Sequence, residues 1–213
     1  MKKYKSLINK IVPPHKLGKK TGAASQVLES NLNKSKERYE LAVKRLLDVN
    51  NWENISGSSV ASFYLYNAYG KSVKRPAKES DLIAIDVPGP GPKTGNGFDW
   101  VVIEKIKEVK IRKENTDVFS LRVRPSTSPL NSDKDIAHFY TKTATSTFII
   151  TRKGNKIKAE EKGHNEIANT KTNSVIDNLR NAAVAFTASH GLAYPQWKIL
   201  MKGILGISEN ENN

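Results

Sequence analysis

The sequence predicts an α+β fold: an N-terminal amphipathic helix, an antiparallel barrel or curled sheet of five to six strands, and a C-terminal helical pair. Three observations predict it. Hydrophobic spacing is helical before residue 50, strand-like from about 59 to 166, and helical again from 175. The strand-like segments follow one another through turn signals with no helical stretch between them, which argues for a meander rather than βαβ units. The 213 residues, 38% of them hydrophobic, are enough to bury one sizeable core without disulfides or metals. The expected organisation is a basic flexible arm over 1–22, a single globular domain over 23–207 and a disordered tail over 208–213.

The first helix is expected over 25–49, capped by Ser25, with Leu28, Leu32, Tyr39, Val43 and Leu46 on one face and Asn50-Asn51 at its end. A strand follows near Ser59 to Tyr69, placing Ala61, Phe63 and Leu65 on one face and Tyr64 and Tyr66 on the other. Leu82 to Val87 is a short apolar strand. Proline and glycine then make Pro88–Gly97 a loop. Phe98 to Ile111 is a longer strand whose alternation slips near Val102-Ile103, the mark of a bulge. Phe119, Leu121 and Val123 alternate with Ser120, Arg122 and Arg124, so one face is core and the other wet. A polar loop covers Pro125 to Asp135, and TSTFIITRKGNKIKAE is a hairpin with Gly154-Asn155 at its tip. Ser174 and Asp177 resemble a capping box opening a helix over 175–190, with Val175, Ile176, Leu179, Ala183 and Phe186 on the expected core face and Gly191 as its stop. The second helix, 195–205, begins at Pro195 and carries Trp197, Leu200, Met201, Ile204 and Leu205 on one stripe.

Composition excludes several chemistries. With no cysteine, thiolate metal sites and thiol nucleophiles are ruled out. No apolar stretch approaches the ~20 residues of a spanning helix. The basic start lacks a signal peptide's continuous apolar segment, because Asn9-Lys10 interrupts it and Pro13-Pro14 stops it. A cytoplasmic location is therefore expected. The net charge is +14, and seven lysines within residues 1–20 supply half of it. Polyanion affinity could thus reside in the arm rather than in the domain.

No catalytic residue, metal ligand set or cofactor motif is recognised. The loop at Gly89–Thr94 has glycines and a Lys-Thr pair, but it lacks phosphate-loop spacing and a following helix. The leading functional expectation is a non-catalytic module that engages a polyanion, nucleic acid foremost. Arg122, Arg124, Lys142, Arg152 and Lys153 would meet phosphates and Tyr64 and Tyr66 would stack on bases. The alternative is a small-molecule pocket inside the barrel, capped by the terminal helices and lined by Trp52, Trp100, Tyr140 and Trp197. An assembly or scaffold role is the third reading, with the basic arm and Ile204-Leu205-Ile207 as docking elements, and attachment of Lys2 to Val12 to a membrane surface is a minor one.

Overall fold

A computed structural model describes residues 2–57, 61–187 and 193–207. Its centre is one curled antiparallel sheet of seven strands in the order β1-β7-β6-β5-β4-β3-β2. The strands are β1 (Lys19–Leu28), β2 (Ser62–Tyr66), β3 (Leu82–Asp86), β4 (Asp99–Ile111), β5 (Thr116–Pro125), β6 (Thr145–Lys153) and β7 (Lys156–Glu166). From β2 to β7 each strand pairs with its sequence neighbour, and β1 closes onto β7. Helices α1 (Lys2–Ile11), α2 (Leu32–Leu47), α3 (Trp52–Ile55), α4 (Val175–Thr187) and α5 (Ala193–Leu205) flank the sheet.

The meander forms where period-two alternation is clean. Phe119, Leu121 and Val123 face the main core while Arg122 and Arg124 face away. Gly154 takes φ +58 at the tip of the β6–β7 hairpin, a conformation glycine adopts without steric cost. The expected slip in β4 is a bulge between Ile103 and Lys105. Ile103 and Ile106 both pack on the core, so Glu104 and Lys105 both fall on the outer face.

On the inner face the core joins Tyr39, Ala42 and Leu46 of α2 and Trp52 of α3 to Leu200, Met201, Ile204 and Leu205 of α5. The apolar stripe read for the last helix is this contact. Each such side chain contributes roughly 1.5–3 kcal/mol on leaving water. Ile204 and Leu205 are therefore core residues, and Ile207 packs beside them, so this end is not the exposed docking element expected of a scaffold.

Four further expectations are corrected. Seven strands are present, not five or six, because 19–28 is a strand rather than arm and helix. Ala23-Ala24-Ser25 has helical propensity, but β1 pairs residue by residue with β7, and pairing with a waiting strand outweighs propensity. Gly22 allows the close approach, since a Cβ there would lie 2.9 Å from the Glu161 carbonyl oxygen. The helix begins instead after Asn31, whose Oδ1 accepts the Lys34 N–H at 2.9 Å, and Leu28 is 75% exposed.

The arm is also structured. Tyr4, Leu7, Ile8, Ile11 and Val12 form a helical stripe that packs on Val118 and Ile149 of the outer sheet face. The same packing uses up the apolar face that membrane attachment would require. Helix α4 is inverted relative to expectation: Val175, Ile176 and Leu179 are 74%, 60% and 71% exposed, whereas Asp177 and Asn181 are buried. The 208–213 tail, the Gly191 stop and the strand start near Ser59 lie outside the described residues, as does the side chain of Phe186. Among the described residues, no helix is long and apolar enough to cross a membrane.

Candidate functional site

The inner face of the sheet and helices α3, α4 and α5 enclose a cavity of about 430 Å³. Alternation in β3, β4, β5 and β6 supplies Ile83, Ile85, Val101, Val123 and Phe148, and α5 supplies Trp197 and Leu200. The aromatic rings form a connected wall. Trp52 meets Phe63 edge-on and Phe148 at a tilt, both at 5.2 Å between centroids, and Phe148 meets Trp197 at 5.5 Å. Trp52 is fixed by its Nε1–H, which donates to the Leu46 carbonyl at 3.2 Å.

Polar groups gather where β1, β6 and β7 meet the segment before β6. Thr21, Ser146, Glu166 and Tyr140 line the cavity there. The Thr21 hydroxyl donates to Glu166 Oε1 at 2.7 Å, while Oε2 has no hydrogen-bond partner. Burial raises the Glu166 carboxyl above its ordinary range, against the opposing pull of Thr21, Tyr140 and Lys19. Burial, with the Glu166 and Glu161 carboxyls next in order, also raises the Tyr140 phenol.

Gly163 makes room for this arrangement. A Cβ at 163 would sit 2.1 Å from Glu166 Oε1 and 2.2 Å from Thr21 Oγ1. Behind the cavity wall, Glu161 is 1% exposed and neither of its oxygens has a hydrogen-bond partner. Burial pushes its carboxyl up to about 8, Glu166 pushes the same way, and Ser146 and Lys162 pull against them.

His138 also lines the cavity, and burial pushes it down to about 4, with Asp99 opposing and Arg180 reinforcing the shift. Its Nδ1 accepts the Tyr140 N–H at 2.9 Å, which fits a neutral ring protonated on Nε2. Asp99 is itself held by a two-bond ion pair with Arg180 of α4, at 2.5 and 2.9 Å.

The glycine-rich loop does create a nest of amide donors, but this chain fills it. The Asp177 carboxylate accepts the Lys93 N–H at 2.9 Å and the Thr94 N–H at 3.0 Å. Asp177 therefore does not close a capping box; its own N–H donates to the Ser174 hydroxyl oxygen at 3.2 Å.

The residues expected to bind a polyanion are not brought together as one basic face. Arg122 and Arg124 share Glu104, with Nε bonds of 2.7 and 3.0 Å. Burial raises Glu104, but Arg124 and Arg122 outweigh it and hold the carboxyl below its usual range. Arg122 also caps α1 through the Ile11 carbonyl at 3.0 Å, and Arg124 donates to the Lys142 carbonyl at 2.7 Å. Arg152 lies on the opposite, inner side, buried against Asp117 and Asn115. Lys142 and Lys153 are exposed at different ends of β6. Tyr66 meets Trp100 edge-on at 5.0 Å and Tyr64 meets Phe98 at 5.9 Å, both on the outer face.

Of the four residues expected in a pocket, Trp52, Tyr140 and Trp197 line the cavity. Trp100 does not. It alternates out of phase with Val101, packs with Leu82, Ala84 and Ala137 outside, and donates from Nε1 to the Gly95 carbonyl at 2.9 Å.

Sequence reasoning missed Glu161, Gly163 and Glu166. The signal was available: Glu161 and Gly163 continue the inward phase of Ile157 and Ala159. Among the described residues, no group of three or more histidine, aspartate or glutamate side chains is placed to hold a metal ion.

No protein-family model matches the chain, and no curated protein matches it in sequence. Solved structures with a similar course include the hypothetical protein jhp0584 of Helicobacter pylori, at 11% identity over 89% of this chain and 88% of that one, with a TM-score of 0.44. Norcoclaurine synthase of Thalictrum flavum matches at 7% identity over 92% and 94%, with a TM-score of 0.40. Major latex-like protein 151 of Panax ginseng matches at 10% over 83% and 99%, with a TM-score of 0.36.

Proposed function

We propose that the chain binds an apolar small molecule in the cavity between the inner sheet face and α5. The observation that carries this reading is the cavity itself: about 430 Å³, walled mostly by aromatic and aliphatic side chains, with fewer polar groups, among them Thr21, Ser146 and Glu166. A concave apolar site with sparse, localised polar groups is the usual form of a small-molecule site. The polyanion reading has less support. Arg122, Arg124 and Arg152 already spend their donors on carboxylates and carbonyls of this chain.

The test is a titration with N-phenyl-1-naphthylamine, a neutral dye that brightens in apolar surroundings. Saturable enhancement with one site per chain is expected. Ile85→Trp, which fills part of the cavity, should weaken binding about tenfold or more, since each 1.4 kcal/mol lost is a factor of ten. Absence of saturable enhancement, or an unchanged affinity in the Ile85→Trp protein, would overturn the proposal.

A further inference from the structure

We propose that the molecule held in this cavity carries an ammonium group, seated against Glu166 beside Thr21 and Tyr140. This deepens the apolar-ligand reading and rests on it.

At the polar end of the cavity one acceptor of the lining is left over. Glu166 Oε2 is buried without a hydrogen-bond partner where the residue lines the cavity. Buried acceptors without partners are costly in a folded protein, and those bordering a cavity point to a group that arrives with the ligand. An alkylammonium brings three N–H donors, no acceptor, and a positive charge. A hydroxyl would bring one donor and an acceptor of its own, and a carboxylate would add a third acid to two already crowded. The ring of Phe139 lies 4.6 Å from that of Tyr140 at this end, so aromatic surface suited to a cation is also present.

The position is built. Glu166 is oriented by Thr21, and the missing side chain at Gly163 leaves the only room in which its carboxyl can sit as it does. The charged and titratable groups acting on Glu166 are Tyr140 from the segment before β6, Lys19 of β1 and, from behind the wall, Glu161 of β7, which is itself bordered by Ser146 and Lys162. Neither lysine lines the cavity.

Octylamine, octanol and octanoate share one tail length and differ in the group they present, so displacement of the dye by each at pH 7 isolates the headgroup. Octylamine should bind about tenfold or more tighter than octanol, the scale of a charge-assisted bond in a buried site, with octanoate weakest. Glu166→Gln should bring the amine-to-alcohol ratio to about one. Gly163→Ala keeps both carboxyls but displaces one of them, and should lower the same ratio. Equal affinity for amine and alcohol, or a preference for octanoate, overturns the ammonium assignment and leaves the apolar cavity standing. If the dye itself fails to bind, both readings fall together.

Discussion

Glu161→Gln should stabilise the protein at neutral pH, and the effect should grow with pH. In the folded chain burial raises the Glu161 carboxyl from an ordinary value of 4.5 to about 8. Below pH 4.5 the carboxyl is protonated whether the chain is folded or not, and the raised value has no effect on stability. Above 4.5 the unfolded chain releases the proton and the folded chain holds it, so folding is opposed progressively until about pH 8. At about 1.4 kcal/mol per pKa unit, the penalty is about 3 kcal/mol at pH 7 and about 5 kcal/mol above pH 8. Glutamine has the same shape and no proton to hold, so the variant should gain those amounts. His138 works in the opposite direction: held at about 4 instead of 6.5, it lowers stability as pH falls through that window. It is present in both proteins and cancels in their difference. Urea unfolding of both proteins from pH 4 to 9 measures it. A difference that is flat with pH, or a variant less stable than wild type at pH 7, would refute the reasoning.

Three other outcomes are expected. Gly203→Ala in α5 gains about 1 kcal/mol of helix propensity, but its Cβ would fall 1.9 Å from the Ile55 carbonyl oxygen of α3. Backbone cannot yield cheaply there, so a net loss of about 2 kcal/mol is expected in the urea midpoint. Ile11→Ala should lower stability by about 2 kcal/mol, because Ile11 is buried on Val118 and Ile149; a thermal midpoint equal to wild type would mean that α1 is not docked. Trp197→Ala should weaken dye binding severalfold while Trp100→Phe leaves it unchanged, since only Trp197 faces the cavity.

The meander from β2 to β7 was legible because one face is core and the other is wet, and alternation reports that directly in segments such as Phe119 to Arg124. Strand β1 was not legible. Lys19 to Leu28 has no clean alternation and becomes a strand only because β7 offers an unpaired edge. The helix α1 was legible in principle, since Tyr4, Leu7, Ile8 and Ile11 keep helical spacing, but its lysines and the following prolines read as a free arm. Helix α4 misled because amphipathicity is not a compass: its polar residues had partners waiting in the Pro88–Gly97 loop and at Asp99, while Val175, Ile176 and Leu179 were left in water. For the site, residue type alone picked out the large aromatics. It could not separate Trp100 from Trp52, because a tryptophan is buried equally well on either face of a covered sheet.

The way α4 is fastened has a kinetic consequence. Its polar contacts include the Asp177 carboxylate on two loop amides, the Arg180–Asp99 pair and the Asn181 amide on the Asn169 carbonyl, while Val175, Ile176 and Leu179 already face water and Ala185 is buried against Tyr140 and Ala144. Detaching such a helix breaks polar contacts and uncovers the apolar surface around Ala185 and Val184 but not Val175, Ile176 or Leu179, so the event would depend on urea less than global unfolding does and would show as amide hydrogen exchange below the global unfolding energy. Val184 of the same helix forms part of the cavity wall. The residence time of a bound molecule would then follow ionic strength, through the latch, more closely than it follows the molecule's own greasiness.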